Sequence, residues 1–252
     1  MTKRYELRDD QWEKIKDLLP GRDAHVGRTS RDNRLFVNAV LYRYRSGVPW
    51  RDLPERFGDF RVVHTRHSRW SRSGVWKHIF QVLAQDAGNE YAMIDSTIVR
   101  AHQHSAGAKK GAAAHAIGRS RGGLSAKIHA TVDALGNPTG FHLTPGQAHD
   151  LEGADVLLPQ TQGEPMIADR AYDAQERVIT PLENANKGIV IPSTRSRKQV
   201  RDYDHHIYQA RHLIENFFAK LKQYRAIATR YDKTACNFLG GIHLAAAAIW
   251  LI

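Results

Sequence analysis

A change in hydrophobic periodicity near residue 90 constrains the fold of this 252-residue chain more than any other feature of its sequence. Before that point, apolar residues recur at helical spacing between Gly and Pro breaks. After it, short apolar runs and alternating segments predominate. We therefore expect two domains. Residues 1–90 predict an all-α module, and residues 91–252 predict an α/β domain in which helices cover a mixed sheet.

The first 90 residues predict five helices. We expect Ser30 to cap the second helix, which ends at Gly47, and Asp59 to cap the fourth. The segments "VPWRDLPERFG" and "DFRVVHTRHSRWSRSG" together resemble a helix-turn-helix. One side of the second segment carries Arg61, Thr65, Ser68, Arg69 and Arg72. We expect this side to contact DNA; the alternative is a solvated basic surface.

Beyond residue 90, three apolar runs predict buried strands: "YAMIDSTIVRAH", "EPMIADRAYDA" and "KGIVIPST". The alternating segment "LSAKIHATVDALGNPTGFHLTPG" predicts a hairpin, and helical segments lie between and after the strands. Residues 103–123 are small, basic and rich in Gly and Ala. We expect them to form a mobile basic loop.

Two of these apolar runs break on an aspartate, Asp95 in "AMIDS" and Asp169 in "MIADR". Carboxylates just past the ends of buried strands lie at the edge of the sheet where α/β sites collect. Glu215 borders the apolar stripe of a predicted helix, where it can face those strand ends. Three converging carboxylates require cations, and oxygen ligands favour Mg²⁺ or Mn²⁺. Two such ions would activate water or a 3′-hydroxyl at a phosphodiester.

The helix "YQARHLIENFFAKLK" carries a polar strip beside its apolar stripe. At about 100° per residue, Tyr208, Arg211, Glu215 and Lys222 fall within roughly 60° of one another. One interpretation is an ordinary intrahelical ion pair between Arg211 and Glu215. The other places Arg211 and Lys222 along the phosphates of a nucleic-acid substrate.

Several polar residues near these motifs allow more than one interpretation. Ser96 and Thr97 follow the first aspartate and either support the strand end or take part in catalysis. Asp173 fits a helix N-cap. His149 and Asp150 form an attractive pair, although Asp150 also fits an N-cap.

Charge and composition indicate the partner and the compartment. The net charge is +11, yet residues 128–192 carry nine acidic side chains against three basic ones. Basic regions around one acidic segment suit a protein that binds a polyanion and metal ions. The single cysteine, Cys236, excludes an internal disulfide, and we expect it to be packed. The polar N-terminal stretch and the short C-terminal apolar segment predict a cytoplasmic protein with no membrane association.

The motifs in this order resemble those of bacterial insertion-sequence DDE transposases of the IS-five family. "YQARHLIENFFAKLK" matches the Y-x2-R-x3-E-x6-K pattern, and "MIDSTIVRAH" and "IADRAYDA" match the contexts of the first two acidic residues. "GRSRGGLSAKIHATVDALGNP" and "RYDKTACNFLGGIHLAAAAIWL" are also similar to stretches of this family. The likeness covers nearly the whole chain.

This resemblance implies a ribonuclease-H-like catalytic domain in which Asp95, Asp169 and Glu215 bind the metal ions. It also implies that Tyr208, Arg211 and Lys222 contact phosphates of the cleaved end. The expected partners are double-stranded DNA, as terminal inverted repeats and target, and further copies of the chain in a homodimer or larger assembly at the nucleoid. Two alternatives remain: a DNA-binding derivative that no longer cuts, and a metal-dependent nuclease without strand transfer.

Overall fold

The computed structural model describes residues 4–21, 32–107 and 115–252. The helices are α1 (Asp9–Ile15), α2 (Asn33–Ser46), α3 (Phe60–Arg72), α4 (Val75–Leu83), α5 (Leu151–Leu157), α6 (Thr180–Asn184), α7 (His205–Tyr208), α8 (His212–Lys222), α9 (Arg225–Ala228) and α10 (Ala235–Trp250). The strands are β1 (Ala92–Ala101), β2 (Gly118–Ser120), β3 (Gly123–Asp133), β4 (Pro138–Pro145), β5 (Met166–Ile167), β6 (Ile189–Val190) and β7 (Thr229–Arg230).

The chain divides into two compact units. Of the residues that the structure describes, those within 1–85, 102–109 and 221–252 form the first unit, and those within 86–101 and 110–220 form the second. The sequence placed residues 221–252 with the α/β region. They lie with the N-terminal helices because α10, which is apolar on nearly every face, packs against α3 and α4. A side chain at Gly241 would collide with the ring of Tyr44 on α2, so this close packing requires glycine.

Helix ends in the first unit follow local capping rules with one correction. Ser30, the predicted cap of α2, lies outside the described residues. The cap is Asp32, whose carboxylate accepts a hydrogen bond from the backbone N–H of Leu35 at 2.8 Å. Helix α2 ends at Gly47, which has a φ of +78°. The prediction for α3 is confirmed, because Asp59 accepts from the N–H of Arg61 at 2.8 Å.

The segment before α3 differs from the predicted short helix. It forms two 3₁₀ turns, Trp50–Asp52 and Glu55–Phe57, each preceded by a proline. The helix-turn-helix is therefore not confirmed. Helix α3 nevertheless buries Val63 and Trp70 and exposes Arg61, Thr65, Arg69 and Arg72. Ser68 does not belong to the exposed surface predicted to contact DNA. Its hydroxyl accepts a hydrogen bond from the side-chain amide of Asn237 on α10 at 2.8 Å.

A mixed sheet forms the centre of the second unit. Its strand order is β2-β3-β1-β5-β6, and β4 also pairs with β3. The predicted hairpin is confirmed as the antiparallel pair β3–β4, while β1–β5 and β5–β6 are short parallel pairs. The predicted loop over residues 103–123 is corrected at two points. Residues 103–106 form a 3₁₀ turn, and β2 pairs antiparallel with β3.

One buried cluster supports the strand ends of the second unit. It joins β1 and β5 to α5 and to the turn that follows β5, and includes Ile94, Ala154, Ala168, Tyr172 and Leu182. Helix α8 contributes Ile214 and Phe217, both nearly inaccessible to solvent, and Phe217 lies near Phe141 of β4. The strand and helix positions that carry the acidic residues are therefore fixed by packing.

Cys236 is exposed, which corrects the expectation of a packed thiol. It lies in the first turn of α10. Among the described residues, no helix combines the length and the apolar character that crossing a membrane would require.

Candidate active site

Asp95 lies in the middle of β1, and not past its end as the sequence predicted. Strand β1 continues to Ala101 because β3 pairs with it along its length, with Asp95 opposite Ala130. The parallel pairing of β1 with β5 stops at Met93. The carboxylate of Asp95 therefore lies just beyond the end of β5.

Asp169 lies just past the end of β5, as the sequence predicted. Only Ala168 separates it from the strand, and its carboxylate caps the turn Arg170–Tyr172 by accepting from the N–H of Ala171 at 2.8 Å. Because β1 and β5 are parallel neighbours, Asp95 within β1 and Asp169 after β5 both lie beyond the carboxyl end of β5.

Arg211 links Glu215, the third candidate acidic residue, to Asp95. Its guanidinium donates to Oδ2 of Asp95 at 3.1 Å and also forms an ion pair with Glu215. Glu215 is the most exposed of the three, with 54% of its side chain accessible. The predicted intrahelical ion pair is thus present, and it has a second carboxylate partner from another part of the chain.

The helix that carries this pair is not continuous. The sequence predicted one helix through residues 208–222, whereas α7 ends at Tyr208, a 3₁₀ turn covers Gln209–Arg211, and α8 begins at His212. Asp204 accepts from the N–H groups of His206 and Ile207, which starts α7 earlier than expected. The tighter turn alters the rotation of Tyr208 about the helix axis relative to Glu215.

Electrostatics distinguish Asp95 from an ordinary surface carboxylate. Burial raises its pKa to about 6, and the negative charges of Asp169 and Asp150 add to that effect. The N–H of Ser96, which donates to Oδ1 at 2.7 Å, and the charge of Arg211 work in the opposite direction. Asp95 therefore lies where further positive charge would stabilise its ionised form.

Tyr208 and Lys222, the other members of the predicted strip, differ in their surroundings. Burial raises the pKa of the Tyr208 phenol, and the charges of Arg211 and Asp169 also act on it. Tyr208 therefore shares the environment of the acidic residues. Lys222 is the last residue of α8, and partial burial lowers its pKa.

The donor set suits a divalent cation in its chemistry. All three predicted ligands are carboxylates, and a cationic group, Arg211, already stands between Asp95 and Glu215. In the parts of the chain that the structure describes, no three His, Cys, Asp or Glu side chains lie close enough to hold one metal ion. Arg211 would have to release Asp95 before the three carboxylates could share a cation.

The structure excludes the interpretation of the Asp150 side chain as a helix N-cap. Asp150 occupies the N-cap position of α5, yet its side chain does not cap the helix. The carboxylate accepts from the hydroxyl of Ser96 at 2.5 Å and from Nζ of Lys127 at 2.8 Å. Burial opposes ionisation, but these two partners hold the pKa of Asp150 below its usual value.

Lys127 is a site residue that the sequence reasoning missed. It is almost fully buried on β3 and also donates to the backbone carbonyl of Ala148 at 2.6 Å. A lysine at an inward position of an alternating strand was the available signal. A buried ammonium requires an acidic partner, which Asp150 provides.

Asp173 does not cap a helix as predicted. Its carboxylate is fully buried and contacts the N–H of Thr194 at 2.7 Å and the side chains of Arg197 and Arg201. Asp173 thereby anchors the basic segment that follows β6. His149 takes a local role, because its Nδ1 accepts from the N–H of Leu151 at 3.2 Å.

The mixed sheet, the adjacent aspartates and the Arg–Glu pair agree with the comparison to known families. Residues 88–251 match the family model described as "Transposase DDE domain". Residues 7–80 match the model described as "Putative transposase of IS4/5 family". The chain belongs to the DDE transposase family, as the sequence motifs predicted.

Curated relatives are similar to parts of the chain. The "Putative transposase for insertion sequence element IS6501" of Brucella ovis is 42% identical over 129 residues, covering 51% of this chain and 99% of that protein. The "Uncharacterized protein y4sN" of Sinorhizobium fredii is 53% identical over 104 residues, covering 41% of this chain and 83% of that protein.

Proposed function

We propose that this protein is a DNA transposase that binds the ends of an insertion sequence, nicks them and joins the resulting 3′-hydroxyl ends to target DNA. The observation that carries the proposal is the pair of contacts of Arg211 with Asp95 and Glu215, beside Asp169. Acidic residues from three separate chain segments approach one position that already holds a cationic group. Membership of the DDE transposase family supports the same reaction class.

Asp95, Asp169 and Glu215 are the proposed ligands of Mg²⁺, with Mn²⁺ as a substitute and two ions per site. Bound there, the cations would activate a water or a DNA 3′-hydroxyl as the nucleophile and stabilise charge on the phosphodiester. In the proposed ribonuclease-H-like catalytic domain, strands β1 and β5 hold the two aspartates rigidly. The side chain of Glu215 is about half exposed, so it can change conformation when cations bind.

Arg211, Tyr208 and Lys222 are the proposed phosphate contacts beside these carboxylates. The guanidinium of Arg211 can donate to two oxygens at once, which suits a phosphate oxygen pair. When Arg211 moves from Asp95 to a phosphate, it frees a carboxylate oxygen. The same movement places positive charge near the scissile bond.

We propose that the first compact unit recognises the ends of the insertion sequence. Helix α3 exposes Arg61, Arg69 and Arg72 together with Thr65 and the apolar side chain of Val62, which is 66% exposed. Arginines and a hydroxyl on one exposed helix face suit phosphate and base-edge contacts. Arg66 does not belong to this face, because its guanidinium stacks over Phe36 and Trp70.

One assay tests the proposal against its alternatives. The full chain is incubated with DNA duplexes that carry the two ends of its insertion sequence, with and without Mg²⁺. Nicked and joined products are then resolved on denaturing gels. A transposase gives both products only with the cation. Nicks without joined products would favour a nuclease, and binding without either product would favour a derivative that no longer cuts.

A further inference from the structure

Tyr172 carries a buried hydroxyl with no hydrogen-bond partner in the parts of the chain that the structure describes. The side chain is inaccessible to solvent, and its ring packs in the cluster that contains Ile94 and Ala168. These two residues directly precede Asp95 and Asp169. Tyr172 therefore shares a buried cluster with the residues that directly precede both candidate aspartates.

The Tyr172 phenol is subject to the negative charge of nearby carboxylates. Burial raises the pKa of the phenol well above its usual range, and the charges of Asp95, Asp150 and Asp169 raise it further. The backbone accounts for this position, since Asp169 caps the turn that ends at Tyr172 and its carbonyl accepts from the Tyr172 N–H at 3.1 Å. A phenol that stays protonated is a donor, and ionised carboxylates only accept.

The neighbouring carboxylates are directed toward other donors. Asp95 accepts from the N–H of Ser96 and from Arg211, while Asp169 accepts from the N–H of Ala171. A buried donor without a partner is unfavourable, so such a group requires an explanation. An arrangement of the carboxylates in which Arg211 no longer contacts Asp95 would supply the missing acceptor.

We propose that Tyr172 is a positioning residue for cation binding. Its hydroxyl donates to the carboxylate of Asp95 in the arrangement that a divalent cation stabilises, after Arg211 has released that carboxylate. This inference rests on the proposed function. Hydrogen bonds to ligating carboxylates orient them and typically strengthen metal affinity by 10- to 100-fold.

The role predicts an unusual combination of effects for Tyr172→Phe. Without a cation the hydroxyl makes no hydrogen bond, so its removal should leave the melting temperature unchanged or raise it. With a cation the variant loses a hydrogen bond that the wild type forms. The Kd for Mn²⁺ should therefore weaken by about tenfold or more, and the rise in melting temperature on adding Mn²⁺ should shrink.

The experiment is a calorimetric Mn²⁺ titration of the full chain, with thermal melting in the presence and absence of Mn²⁺. Tyr91→Phe is the matched control, because the Tyr91 hydroxyl, in the same compact unit, donates to the carbonyl of Ala134 at 3.2 Å. That control should lower the cation-free melting temperature slightly and leave the Mn²⁺ affinity unchanged.

The outcomes separate this inference from the proposed function. If the wild type binds Mn²⁺ and nicks DNA while Tyr172→Phe binds Mn²⁺ equally well, the positioning role is wrong and the proposed function stands. If Tyr172→Phe melts at a lower temperature without cation but binds Mn²⁺ as tightly as the wild type, the hydroxyl instead forms a hydrogen bond with a buried structural water. A wild type that neither binds Mn²⁺ nor nicks would overturn both.

Discussion

The guanidinium of Arg211 lies 3.1 Å from the carboxylate of Asp95, a residue 116 positions away in the chain, while it also pairs with Glu215 one helical turn further on. The sequence offered two interpretations of Arg211, an intrahelical ion pair or a phosphate contact. The structure contains the ion pair and adds a long-range partner at the candidate active site.

We expect Arg211→Ala to reduce Mg²⁺-dependent nicking by a factor on the order of 10²–10³, as loss of one charge-stabilising donor in a preorganised site can do. The melting temperature should change little, because the side chain is partly exposed and such ion pairs contribute about 0–1 kcal/mol. Arg211→Lys should restore part of the activity, since lysine offers a point charge in place of a planar fork. Lys222→Ala should resemble Arg211→Ala with a milder effect.

The matched control for Arg211 is Lys220→Ala, which removes an exposed cation from the same helix α8. Nicking time courses on one duplex compare all four variants. If Arg211→Ala nicks DNA at the wild-type rate, Arg211 serves only in a structural ion pair.

The nearly isosteric substitutions Asp95→Asn, Asp169→Asn and Glu215→Gln should each abolish nicking and leave binding to the element ends nearly intact. The reason is that each removes a charged oxygen ligand without changing the packing around the strand ends. Gel-shift titrations and nicking assays in Mg²⁺ measure the two properties separately. Any variant that still nicks identifies a residue outside the catalytic set.

Asp150 and Lys127 should behave as a coupled pair. Asp150→Asn leaves the buried Lys127 ammonium without its charged partner, so we expect a loss of about 1–3 kcal/mol in the free energy of unfolding. Lys127→Met combined with Asp150→Asn should recover part of that loss, because no uncompensated charge remains. Urea unfolding of both single variants and the double variant forms the cycle. Strictly additive losses would mean that the two side chains do not interact.

The exposed arginines of α3 should determine the salt dependence of DNA binding. Arg61→Ala with Arg69→Ala is expected to weaken end binding and to reduce the slope of log affinity against log salt by about one for each lost phosphate contact. Arg66→Ala is the contrasting control, since its stacking on Trp70 predicts lower thermal stability and an unchanged slope. An unchanged slope in the double variant would place the DNA contact on another surface.

His67 should make the protein sensitive to acid. Burial lowers its pKa to about 4 from an ordinary 6.5, against the opposing charge of Asp232. The unfolded chain therefore binds more protons than the folded protein as the pH falls from about 6.5 to 4. Stability that is present at neutral pH is lost across that window.

His67→Gln should flatten this loss, although it lowers the stability at pH 7 because the ring accepts a hydrogen bond from Trp76 at 3.2 Å. Urea midpoints between pH 7 and pH 4.5 measure the slope. The exposed His78, on α4, provides His78→Gln as the control that keeps the wild-type slope. An equally steep loss in His67→Gln would attribute the acid sensitivity to other groups.

Much of the fold was predictable from local patterns. The hairpin β3–β4, the strand before Asp169 and the Asp59 cap of α3 follow from alternation, apolar runs and capping, which act over a few residues. The features that local patterns did not indicate depend on distant contacts. Strand β1 extends past Asp95 because β3 pairs with it, and α10 joins the N-terminal helices because its apolar surface packs there.

The sequence by itself determined the family and the candidate acidic residues, because these reside in ordered motifs of characteristic residue types. Only the tertiary structure placed Arg211 against Asp95, Lys127 against Asp150 and the buried Tyr172 hydroxyl in the cluster that contains Ile94 and Ala168. Each of these relationships joins side chains from separate elements. The two ion pairs depend on burial and on distances of about 3 Å, and the position of Tyr172 depends on burial. Spacing along the chain encodes neither quantity.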